Sequence, residues 1–158
     1  MILLNVKFLC YSIIIMHSDL YGDSDDNVLE LKMVNYHAKD FKIDQYGRTR
    51  VVHPRFKNRK GLIVFYSPNC GHCRDPAFVK TWKGLSVMFG NRFPIAAVNC
   101  QNKRQKNDEL ARLSDVQGYP TIKLVYEDGT LGEEYQGARD MKSFKQFICK
   151  KAGVCSRS

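Results

Sequence analysis

A chain of 158 residues with 44% apolar content can enclose one hydrophobic core and is too short for two domains of ordinary size. Its formal charge of +9 fits a solvated basic surface or an anionic partner, but no aromatic-interleaved basic motif accompanies the charge, so nucleic acid is not an expected partner. Six cysteines contain a single C-x-x-C pair, Cys70 and Cys73, which argues against a zinc ribbon; no metal and no organic cofactor is expected.

Met1 to Met16 is mostly apolar, is interrupted by Asn5 and Lys7, and gives way to His17-Ser18-Asp19. It falls short of the ~18 apolar residues of a membrane span. Residues 1–18 therefore read as a secretory signal peptide, with an uncleaved anchor or a buried strand as the alternatives, and membrane contact is expected only if the segment stays attached. Removal of the segment would take Cys10 with it and leave an odd number of cysteines, hence at least one free thiol in an oxidising compartment. Residues 19–27 form an acidic spacer.

Val28 to Leu31 predicts a first strand and Tyr36 to Phe41 a short helix. Gly47 to Lys60 carries Arg48, Arg50, Arg55, Lys57, Arg59 and Lys60 around Pro54 and reads as a long basic loop, either an ordinary solvated insertion or a docking surface for an acidic partner. Leu62 to Tyr66 is a short apolar run between Gly61 and Pro68, a buried strand. Beyond it Phe78, Trp82, Leu85 and Phe89 recur at helical spacing, which places Cys70 at the start of a helix. Unpaired N–H groups and the dipole at such a start favour an anion, so the Cys70 thiol is expected to lean toward thiolate.

Pro94 to Cys100 is another buried strand, giving a strand-helix-strand parallel crossover. A polar loop from Gln101 to Asn107 and a short helix from Asp108 to Leu113 follow. Thr121 to Tyr126 and Gly132 to Tyr135 read as an antiparallel hairpin around Asp128-Gly129. Asp140 caps a last helix that turns Met141, Phe144 and Ile148 inward and ends at Gly153. Cys149 and Cys155 flank that end, and their spacing leaves open a local disulfide, a mixed disulfide or a dimer. Cys100 reads as a buried free thiol.

Phe65-Tyr66-Ser67-Pro68-Asn69-Cys70-Gly71-His72-Cys73 resembles the active-site segment of the protein disulfide isomerase branch of the thioredoxin superfamily, and Val116-Gln117-Gly118-Tyr119-Pro120-Thr121-Ile122 resembles its cis-proline segment. The resemblance implies an α/β thioredoxin fold, with a central mixed β-sheet flanked by helices, over residues 28–152, and a tail at 153–158. It implies a thiol-disulfide oxidoreductase acting on cysteine-containing proteins in the secretory pathway, either in the endoplasmic reticulum lumen or secreted. Cys70 would be the nucleophile and Cys73 the resolving thiol. Gly71 and His72 mark the branch, His72 and Arg139 would favour thiolates, and Asn69, Tyr119 and Pro120 would contact substrate. The family's reduction potential, about −180 mV against about −270 mV for thioredoxin, implies an oxidant or isomerase.

Four positions depart from the family pattern. Asn69 replaces a tryptophan, Val64 a buried glutamate and Ala97 its lysine partner, while Pro76 lies nearer to Cys73 than the family's helix-kinking proline. The loss of both charges together avoids one unpaired buried charge. It also removes a proton acceptor, so Cys73 should deprotonate less readily and mixed disulfides should resolve more slowly unless Asp75, His72 or Arg139 compensates. The rival reading from these departures is a thioredoxin-fold binding module or holdase with weak redox turnover.

Overall fold

The computed structural model describes residues 29–30 and 40–156 of the chain. Its strands are β1 (Leu29–Glu30), β2 (Phe41–Ile43), β3 (Thr49–Val51), β4 (Gly61–Tyr66), β5 (Ile95–Asn99), β6 (Thr121–Val125) and β7 (Leu131–Glu134), and its α-helices are α1 (Pro76–Phe89), α2 (Asn107–Leu113) and α3 (Met141–Ala152). All six residues of β4 are buried, and a strand that is apolar on both faces must be covered on both. Its position satisfies this: the main sheet runs β1-β5-β4-β6-β7, with β1, β5 and β4 parallel and β6 and β7 antiparallel.

Alternation along β4 divides the core in two. Leu62, Val64 and Tyr66 pack with Phe78, Trp82, Leu85 and Phe89 of α1 and with Phe144 and Ile148 of α3. Ile63 and Phe65 pack on the opposite face with Phe41, Val51, Phe56, Leu110 and Ala111. On the first face the rings interlock: Trp82 meets Phe144 edge-on at 5.6 Å and Tyr135 stacks on Phe144 at 4.7 Å. Well-placed ring pairs of this kind contribute about 0.5–1.5 kcal/mol each beyond the area they bury. Asp140 caps α3 by accepting the Ser143 N–H at 2.8 Å, and Gly153, at φ +68°, closes it.

Two predicted elements differ. Phe41 lies in a strand rather than at the end of a helix, and residues 36–39 of that expectation lie outside the described residues. Gly47 to Lys60 is not one long loop. Buried Thr49 and Val51 alternate with Arg50, the strand period, and they pair with β2 in a separate two-stranded sheet. Buried Phe56 then anchors a 3-10 turn at Pro54–Phe56. Most of the basic residues there are engaged within the chain: Arg48 and Arg50 with Asp44 at 3.0 and 3.1 Å, Lys60 with Glu127 at 3.7 Å, and Arg59 with the Arg55 carbonyl at 3.3 Å. The N-terminal signal or anchor expectation lies outside the described residues, among which no helix is long and apolar enough to cross a membrane.

Candidate active site

Past the end of β4 the chain turns back on itself. Cys70 N–H donates to the Ser67 carbonyl at 3.1 Å, and the N–H groups of Cys73 and Arg74 both donate to the Cys70 carbonyl, at 3.1 and 3.2 Å. Residues 70–74 thus form a helix-like turn, but α1 starts only at Pro76, so Cys70 does not begin that helix as its spacing predicts. The reason is local. Proline has no N–H to continue the ladder and disfavours the helical region for the residue before it, and Asp75 accordingly sits extended at φ −54°, ψ 117°. Asp75 accepts the Ala77 N–H at 2.9 Å as the cap of α1, so its carboxylate serves the helix rather than Cys73.

The thiolate bias of Cys70 nevertheless holds, with a different cause. The backbone N–H of Cys73 is the main influence pulling the Cys70 thiol below its ordinary range; partial burial opposes it, and the Cys73 thiol, the His72 N–H and the Arg139 charge assist. Cys73 behaves oppositely. It is wholly buried, and burial pushes its thiol up to about 12, against a backbone contribution from Ser67 and with the neighbouring Cys70 raising it further. Both thiols are reduced.

The second segment arrives as expected. Tyr119-Pro120 is a cis peptide, and the Cys70 thiol donates to the Tyr119 carbonyl at 3.5 Å. The Tyr119 phenol is pushed up to about 12 by burial and by the Cys100 thiol beside it. Arg139 places its guanidinium 5.7 Å from the centre of the Phe78 ring, and its charge reaches both cysteines. His72 and Gly71 are exposed in the turn; a Cβ on Gly71 would meet nothing within 4 Å, so packing does not require glycine there. Asn69 is exposed, and its N–H donates to the Ser67 hydroxyl at 3.3 Å. The sequence alone does not single out Ser67, whose backbone meets both cysteines: its carbonyl accepts the Cys70 N–H and its backbone bonds the Cys73 thiol. The only available signal was its place between the apolar strand and Pro68.

Under the cysteines the structure places Val64 and Ala97 side by side in register, both fully buried and both in the cluster that includes Cys73. Cys100 is buried near Ala111, its thiol donating to the Val98 carbonyl at 3.5 Å. Cys149 and Cys155 are joined by a disulfide, which resolves the alternatives left by their spacing.

The family model described as Thioredoxin matches residues 48–150. Protein disulfide-isomerase 2-3 of Arabidopsis thaliana is 30% identical over 148 residues, covering 94% of this chain and 29% of that protein. A mitochondrial thioredoxin domain-containing protein of Schizosaccharomyces pombe is 35% identical over 100 residues, covering 60% of this chain and 26% of that protein. Among solved structures, the J-Trx1 fragment of ERdj5 superposes with a TM-score of 0.53 at 26% identity, over 63% of this chain and 46% of that one. The chain spans 18% to 29% of the length of the curated relatives it matches.

Proposed function

This chain belongs to the thioredoxin family as a protein disulfide isomerase-like domain, and from that premise we propose that it exchanges disulfides with protein cysteines through Cys70 and Cys73. The observation that carries the reading is the split between the two thiols: one partly exposed and lowered, its neighbour buried and raised to about 12. Only a thiolate attacks a disulfide, so the two cysteines take different parts. The Cys70 thiolate attacks one substrate sulfur; a Cys70–substrate disulfide forms and the other substrate sulfur leaves as thiolate. Cys73 then gives up its proton to solvent or to the substrate thiolate released first and attacks the Cys70 sulfur; the Cys70–Cys73 disulfide forms, the Cys70–substrate bond breaks, and the second substrate sulfur leaves as thiolate. The substrate is reduced by two electrons and the pair is oxidised, and the reverse course donates a disulfide. Arg139, and His72 through its N–H, favour the Cys70 thiolate, while Tyr119-Pro120 and Asn69 border the substrate's approach.

We propose that the domain, residues 28–152, works in the secretory pathway, where disulfides persist, a reading supported by its similarity to protein disulfide isomerases. Fractionation of the tagged chain tests this, and recovery in mitochondria would overturn it.

The test of the chemistry is the reduction potential of the pair in glutathione buffers, with Cys70 thiolate formation followed against pH. A potential near about −180 mV with an acid-shifted thiol supports a donor or isomerase, and one near about −270 mV a reductant. A Cys70 that titrates as an ordinary thiol and exchanges slowly would overturn the catalytic reading. One observation favours the binding-module rival, the apolar Val64–Ala97 floor beneath a high-pKa Cys73. A binder would retain client proteins after both cysteines are replaced.

A further inference from the structure

Next to the Cys70 turn lies an open groove of about 400 Å³ whose walls include Asn69 on one side and Asn99, Gln101, Asn102, Lys103 and Arg104 on the other. The walls meet because β5 runs beside β4, with Asn99 opposite Tyr66 and the Cys100 N–H donating to the Tyr66 carbonyl at 2.9 Å. The far wall is held in shape by buried amides. Asn107 Nδ2 donates to the Asn99 carbonyl at 3.0 Å, Asn99 Oδ1 accepts the Gln101 N–H at 3.1 Å, and the Asn107 N–H donates to the Asn102 carbonyl at 3.2 Å. On that frame a 3-10 turn starting at Lys103 leaves Lys103 and Arg104 exposed. Arg48, Arg50 and Lys60 have acidic partners in the chain, whereas neither Lys103 nor Arg104 forms an ion pair among the described residues. Asp108, the nearest acid in sequence, acts on the Tyr119 phenol and does not line the groove.

We propose that this groove is a subsite for acidic side chains flanking the cysteine under attack, so that the chain selects disulfides set in acidic sequence. The inference rests on the reading of Cys70 as nucleophile. Asn69, adjacent to Cys70, offers an amide where a large apolar ring would favour apolar flanks. The exposed Asn69 and Gln101 amides and the two cations provide donors for a carboxylate, with Arg104 able to grip it through two N–H groups. Exposed charges of this kind act chiefly on encounter and orientation, which sets the scale at several-fold in rate.

The test uses the full-length reduced chain and three disulfide peptides identical except for two residues after the cysteine, Glu, Gln or Lys. Exchange is fastest with the Glu peptide and slowest with the Lys peptide, by about tenfold at low ionic strength, and the ratio shrinks toward one in molar salt. The double variant Lys103→Glu, Arg104→Glu inverts the order. Equal rates, or an order that survives the double variant, would overturn the subsite. Failure to exchange with all three peptides would instead sink the reading of Cys70. The subsite is then decided by binding: the full-length Cys70→Ser, Cys73→Ser chain is titrated with cysteine-free Glu and Lys peptides. Amide shifts at Asn69, Gln101 and Lys103 with the Glu peptide alone support it, and their absence overturns it.

Discussion

At the scale of single residues, Cys70 and Cys73 share one turn and titrate in opposite directions, because Cys70 gains backbone donors while Cys73 loses its solvent. A lowered thiol becomes thiolate at lower pH than usual, whereas one raised to about 12 stays protonated throughout the neutral range. Iodoacetamide labelling of the reduced chain between neutrality and the ordinary thiol pKa is therefore expected to modify Cys70 first. Cys70→Ser abolishes the fast phase, and mass analysis showing Cys73 labelled as quickly as Cys70 would contradict the assignment. Val64→Glu puts a carboxylate opposite Ala97 in the buried cluster that also holds Cys73. It is expected to destabilise the fold by roughly 2–5 kcal/mol in chemical denaturation, the cost of an unpaired buried acid. Adding Ala97→Lys recovers part of that loss and speeds the release of trapped mixed disulfides. A release rate unchanged in the double variant would show that proton acceptance does not limit the second step.

Among the elements, the start of α1 decides how the turn is presented. Pro76→Ala returns an N–H and frees Asp75 from its extended conformation, so the helix should grow back toward Cys73 and move its dipole closer to the thiol. The expected result is more helix by circular dichroism and a Cys70 titration displaced to lower pH; a gain in helix without displacement would assign the whole bias to the turn's own N–H groups. This start was legible only in part. The 3.6-residue spacing of Phe78, Trp82, Leu85 and Phe89 revealed the helix and its buried face, but periodicity carries no information about where the first turn closes, and Asp75-Pro76 settled that locally. Leu62 to Tyr66 and the Asp140 and Gly153 boundaries were legible because a run buried on both faces, a carboxylate cap and a glycine end are each written in adjacent residues. The strand β3 inside Gly47 to Lys60, which pairs with β2, was hidden by its arginine, whose partners Asp44 and Asp128 only the tertiary structure identifies. The groove at Lys103 and Arg104 was invisible for a similar reason, since Asn69 and Arg104 are neighbours only through the β4–β5 pairing.

Across the whole molecule the two cysteine pairs sit at opposite ends of β4. Cys70 follows its last residue, while Lys60, just before its first, donates to the Lys151 carbonyl at 3.0 Å, beside the Cys149–Cys155 disulfide. Six strand residues separate the ends by about 20 Å, too far for exchange between the pairs without unfolding. The second pair is structural: it closes a short loop and secures Ala152 and Val154 against the core. Cys149→Ser with Cys155→Ser is expected to lower stability by about 2 kcal/mol from loop entropy alone, read from denaturant midpoints, and to leave the Cys70–Cys73 potential unchanged. A shifted potential would reveal coupling along the strand.

The uncharged floor formed by Val64 and Ala97 bears on how long partners stay. A resolving thiol that surrenders its proton reluctantly lengthens the residence time of every covalent complex begun by Cys70. The unaltered chain should then act as its own hook: recovered from cells under acid quench and alkylation, it would carry clients that a faster relative releases before the lysate is cold.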